Sequence, residues 1–72
     1  MDDETGLPFE PLTNREMEIL RYITLGMSAK EVAKHLTIAP RTVERHIDHI
    51  RLKTRTRNRS HLVAFAFANG LV

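Results

Sequence analysis

Two strings of the form Ser/Thr-x-x-Glu, Thr13 to Glu16 and Ser28 to Glu31, constrain this chain more than any other feature. Each fits a capping box, in which the hydroxyl accepts from a backbone N–H three residues on and the glutamate reaches back to the cap's own N–H. Each precedes apolar residues at helical spacing. After the first box, Ile19, Leu20 and Ile23 share a face and Gly26 supplies a left-handed stop, which predicts a helix over about 14–25. After the second, Ala29, Val32, Ala33 and Leu36 point inward and Lys30 and Lys34 outward, over about 29–36. Only Thr37-Ile38-Ala39 separates this helix from Pro40, whose missing N–H costs nothing in the first turn of a third helix. Ala39 is a poor cap, so the third start is the weakest of the three. The third helix is predicted over about 40–53, with Val43, Ile47 and Ile50 as its apolar stripe. Residues 54–58 (TRTRN) suit a connector, Asn58 caps a fourth helix over about 59–69, and Gly70 ends it. Leu71 and Val72 are placed to pack back on the core.

No segment alternates as a strand would, so the fold class is all-α: a compact four-helix domain containing a helix-turn-helix, over 12–72. Residues 1–11 are acidic and contain Gly6, Pro8 and Pro11, and read as a flexible lead-in. They are either the end of a linker from a larger protein or the start of a stand-alone one. One carboxylate, Glu16, falls on the apolar side of the first helix and needs a partner. That partner is either its own cap donor or a cation from a later helix, Lys53 or Arg59.

A chain of 72 residues has a thin core and is marginal alone. The absence of Cys excludes disulfides and a thiolate zinc site, which leaves oligomerisation as the device to seek. No apolar run approaches the roughly 20 residues that span a membrane, and no signal peptide is visible, so a cytoplasmic protein is expected. The charge is asymmetric. Residues 1–39 carry four basic and seven acidic groups, while residues 40–72 carry seven basic and two acidic. All seven of those cations lie between Arg41 and Arg59, either as a footprint for a polyanion or as a solvated surface.

The string LTNREMEILRYITLGMSAKEVAKHLTIAPRTVERHIDHIRLK, followed by NR and then NGLV, resembles the LuxR-type DNA-binding domain. That is the four-helix output domain of quorum-sensing regulators and of NarL/FixJ-like response regulators. The resemblance covers residues 12–72 and rests on Leu12-Thr13, Arg15-Glu16, Ile19-Leu20, Gly26, Ser28, Lys30-Glu31-Val32-Ala33, Leu36, Ile38, Thr42-Val43, His46, Ile50, Lys53, Asn58-Arg59 and Gly70-Leu71. Ala29 stands where Asn is usual, Ala39 where Ser is expected, and Thr54 where Leu usually follows. Ala29 costs a polar contact, and Thr54 leaves the end of the third helix less apolar.

The resemblance implies transcription regulation, with the third helix in the major groove of double-stranded DNA and the second across the backbone. On a wheel of about 100° per residue, the side of the third helix away from its core stripe holds Arg41, Glu44, Arg45, Asp48 and Leu52. These five are the candidates for base edges, with Arg41, Glu44, Arg45 and Asp48 taken as the base contacts; Glu44, Arg45 and Asp48 match the positions that do most of the family's base reading. Arg45 suits guanine O6 and N7, and Glu44 and Asp48 suit a cytosine amine. Alternatively the acids pair within the helix and hold Arg45 or Arg41 in position. Lys30, Thr42, His49 and Lys53 are the candidate phosphate contacts.

The fourth helix is apolar nearly all round. Leu62, Val63, Ala66 and Phe67 are assigned to its core side, and Ala64, Phe65 and Ala68 to the other. The second side implies a partner, a homodimer by resemblance, or else a small Ala-rich face tolerated in water. An N-terminal receiver or sensor domain and RNA polymerase are further possible partners.

Three rival readings arise from the same residues. A metal or hydrolytic site at ERHIDH fails geometrically. His46 and His49 lie about 60° apart on the wheel, but Glu44 is about 160° from His46 and Asp48 about 100° from His49. No catalytic constellation, metal set or cofactor motif is apparent, so no enzyme is expected. A sigma-region helix-turn-helix and a pure interaction module acting through the fourth helix remain the alternatives.

Overall fold

A computed structural model describes residues 9–72. Four helices follow in order: α1 (Asn14–Thr24), α2 (Ala29–Leu36), α3 (Pro40–Thr54) and α4 (Arg59–Ala68). All four expected helices form, with ends displaced by a residue at most. Both capping boxes close. Thr13 Oγ1 accepts from Glu16 N at 3.1 Å while Glu16 Oε1 accepts from Thr13 N at 2.8 Å. Ser28 and Glu31 repeat the exchange at 3.1 and 2.9 Å. Asn58 Oδ1 accepts from His61 N at 2.8 Å to start α4. Ala39 makes no side-chain cap, and Pro40 opens α3 unaided.

The turn between α2 and α3 is built on Thr37 in the left-handed region, φ 56° and ψ 48°. The N–H groups of Thr37 and Ile38 both donate to Ala33 O, closing the helix end. A β-branched residue there carries strain of about 1 kcal/mol, which the closed turn and the packing of α3 hold in place. Arg55 ends α3 in the same way, at φ 57°.

α1 packs against each of the other three helices, while α2 and α4 do not meet. Ile19, Leu20, Ile23, Ala29, Val32, Ala33, Val43, Ile47, Ile50, Leu62 and Ala66 form one buried cluster. Leu71 returns to pack on it, whereas Val72 is exposed. Thr54 is buried too. Its hydroxyl donates to Ile50 O at 2.8 Å and lies 3.0 Å from Thr56 Oγ1, so the polar substitute at this point is satisfied internally.

Two expectations need correction. The lead-in reading of 1–11 does not hold for Phe9 and Glu10. Phe9 is buried, its ring meeting Phe65 edge-on at 5.2 Å and 81°, and Glu10 N donates to Lys53 O at 3.1 Å. Residues 1–8 lie outside the described part. An aromatic ring between two prolines had a site on α4 that no local pattern announces. The second correction concerns Phe67, assigned to the core side but 62% exposed. It lies about 140° round the helix from Leu62, so it cannot share the stripe of Leu62 and Ala66.

Candidate nucleic-acid interface

Pro40 and the left-handed Thr37 fix how α3 leaves α2, and Val43, Ile47 and Ile50 fix which side of it faces the core. Arg41, Glu44, Arg45, Asp48, His49 and Leu52 are all exposed as a result. Thr42 and His46 are half-buried on the flank. Arg41, Glu44 and Arg45 form no ion pair among the described residues. Asp48 lies 3.8 Å from Arg51, an exposed contact one turn along the helix worth little in water. The acids therefore do not hold Arg45 or Arg41, as one sequence alternative had it.

Lys30 and Lys34, one turn apart on α2, are exposed beside the turn. With Ala33, Thr37, Ile38, Ala39 and Pro40 they line a shallow concavity of about 580 Å³. Lys34 was not among the predicted contacts; its spacing of four from Lys30 was the available signal.

Of the two cations offered as partners for Glu16, Lys53 is the one that meets it. Its Nζ donates to Glu16 Oε1 at 2.8 Å across 37 residues, and only 26% of its side chain is exposed. Glu16 thus has both of its candidate kinds of partner, its cap and a later cation. Burial pushes the Glu16 carboxyl upward in pKa. Hydrogen bonds from Lys53 and the Thr13 backbone, with the charge of Lys53, outweigh it and hold the group below its ordinary value of 4.5. Lys53 anchors α3 to the start of α1 through this ion pair.

The arginines that follow divide. Arg51 donates to Arg57 O and Arg59 to Met27 O, so both brace loops. Arg55 and Arg57 stay exposed. Arg57 N donates to His61 Nδ1 at 3.0 Å. No group of three or more His, Asp or Glu side chains converges as a metal site among the described residues.

On α4, Leu62 and Ala66 are fully buried. Ala64, Phe67 and Ala68 are exposed, and Phe65 is half-buried under Phe9. The outward apolar face is centred on Phe67 and Ala64, with Phe65 at its edge. No helix of the described residues is long and apolar enough to cross a membrane.

A family profile described as "GerE: Bacterial regulatory proteins, luxR family" matches residues 10–66. The transcriptional regulatory protein LiaR of Bacillus subtilis is 41% identical over 69 residues, 96% of this chain and 33% of that protein. The response regulator ChrA of a heme-sensing two-component system superposes with a TM-score of 0.82 at 33% identity, covering 93% of this chain and 33% of that one. The VqmA–ligand–DNA complex from Vibrio cholera gives 0.82 at 25% identity, covering 99% of this chain and 31% of that one. The chain thus spans about a third of the length of the relatives it matches. The family consists of transcription regulators and not of enzymes. The chain belongs to the luxR family of bacterial regulatory proteins, as a helix-turn-helix DNA-binding domain.

Proposed function

We propose that this domain binds double-stranded DNA in a sequence-specific manner, with α3 in the major groove. The observation that carries this is the exposed face of α3: among the described residues, Arg41, Glu44 and Arg45 stand without ion partners on the side turned away from a fully packed stripe. Arg45 donates to guanine O6 and N7, and Glu44 accepts from a cytosine amine, with Asp48 doing the same once it leaves Arg51. Arg41 extends the base contacts at the helix start. Lys30, Thr42 and His49 hold phosphates, joined by Lys34 from the same concavity. Lys53 contributes by fixing the pose of α3.

The domain acts as a homodimer through α4, reading two related half-sites, with Ala64, Ala68 and Phe67 at the contact and Phe65 at its margin. The exposure of Phe67 supports this, since an uncharged face with an open aromatic gains by leaving water. The relatives, about three times the length of this chain, support an N-terminal receiver or sensor domain as the input; RNA polymerase is the downstream partner in this reading, in the cytoplasm. The same α4 face would serve if the chain were instead an interaction module that binds a receiver.

Fluorescence titration against duplex DNA at 50 and 200 mM salt separates the two. Lys30 and Lys34 of two protomers neutralise about four phosphates, which predicts an affinity about a hundredfold weaker at the higher salt. Absence of any duplex binding at 50 mM salt would sink the DNA reading and leave the interaction module.

A further inference from the structure

We infer that Leu52 is a further reading position of α3 and meets the C5-methyl group of a thymine about three base pairs from the base pair met by Arg45. The inference rests on the DNA-binding reading above. Arg41, Arg45, Asp48 and Leu52 succeed one another at steps of four, three and four residues, which returns each to one line along a helix. All four are exposed, Leu52 by 75%. An exposed leucine alone signifies nothing. Leu52 is set apart by its place, in line with the charged face and opposite the packed stripe of Val43, Ile47 and Ile50.

Its surroundings favour a polyanion over an apolar partner. Leu52 shares a shallow concavity of about 430 Å³ with Asp48, Arg51, Arg55 and Thr56 at the C-terminal end of α3. Arg51 is committed to the Arg57 carbonyl, but Arg55 stands exposed in its left-handed turn. It is a cation able to meet a phosphate beside the leucine. An apolar side chain with a guanidinium at its rim matches a groove whose wall is phosphate and whose floor presents a methyl group. Among the four bases only thymine offers an apolar group on its major-groove edge. Seven residues separate Leu52 from Arg45, about 10 Å along the axis, or about three base steps. The operator should then carry its thymine about three pairs from the guanine, on the side toward the C-terminus of α3.

The test begins with selection of sites from a random duplex library by the wild-type protein and by Leu52→Ala. Each thymine of the selected half-site is next replaced by deoxyuridine, which removes only the methyl group. At one thymine the replacement should weaken wild-type binding about fourfold, the scale of one buried methyl. Leu52→Ala should be weaker by a similar factor, indifferent to that replacement, and lose the thymine preference in its own selection. Specific binding that tolerates deoxyuridine at every position, or a Leu52→Ala protein that still senses the methyl, would overturn the inference and leave the DNA-binding reading intact. Failure of the wild type to bind any duplex at low salt would overturn both.

Discussion

α3 and α4 bury their apolar stripes in the same core, yet what they turn to solvent differs in kind. α3 presents Arg41, Glu44, Arg45 and Asp48, whereas α4 presents Ala64, Phe67 and Ala68. The first face loses by being covered with anything apolar, because each ion stripped of water needs a compensating partner. It gains from ordered donors and acceptors of the kind found on base edges and phosphates. The second face, beyond Ser60 and His61 in its first turn, has nothing to donate and gains about 25 cal/mol for each Å² withdrawn from water. Burial of one stripe therefore says that a helix belongs to the domain. The chemistry of the opposite side says what the domain meets.

The largest effect is expected at the support behind the charged face, where Glu16 holds Lys53 of α3. Glu16→Ala removes the acceptor of the Thr13 N–H and the partner of Lys53, and should lower unfolding stability by about 2 kcal/mol in a denaturant titration. The pair counts for less than a fully buried one because Lys53 keeps part of its side chain in water. The carboxyl of Glu16 has a folded pKa below its unfolded value. Its contribution is thus complete above the unfolded carboxyl range and is lost as pH falls through the folded pKa. The variant should accordingly lose less stability than the wild type on acidification, and an equal acid loss in both would show that the pair carries none of it.

Next comes the charged face alone. Arg45→Ala should cost about 1–3 kcal/mol on a selected site and relax preference at one base pair, leaving the salt dependence unchanged. Uniform weakening on all sequences, with a shallower salt slope, would make Arg45 a phosphate contact. The smallest effect belongs to the apolar face. Phe67→Glu should weaken dimerisation by about 1–2 kcal/mol in sedimentation while changing monomer stability by no more than about 0.5 kcal/mol. Phe65→Glu should behave otherwise and destabilise the monomer, because its ring packs on Phe9. If Phe67→Glu left the sedimentation profile unchanged, the contrast between the two faces would lose its functional meaning.

Most of the fold was legible because its signals are local. Thr13 with Glu16, Ser28 with Glu31, and Asn58 each announce a helix start within four residues, and all three caps form. The split of ERHIDH was legible for the same reason. Val43, Ile47 and Ile50 leave α3 one packing side, so Glu44, Arg45 and Asp48 had to face away from it. The end of α3 was less legible. Thr54 and Thr56 looked like connector residues, but a hydroxyl pair lets both be buried. The sequence offered Lys53 both as a phosphate contact and as a partner for Glu16, and left open whether Glu16 takes its cap donor, Lys53 or Arg59, because nothing within a helical turn of Lys53 reveals that Glu16 lies alongside.

The sequence by itself determined the number, order and ends of the helices and the outward side of α3, since these depend on contacts three or four residues apart. Only the tertiary structure decided that Lys53 serves Glu16, that Phe9 covers Phe65, and that Phe67 faces solvent. The first two join segments far apart in the chain. The third concerns a helix apolar nearly all round, which has no single stripe to choose its own orientation, so its neighbours α1 and α3 choose it.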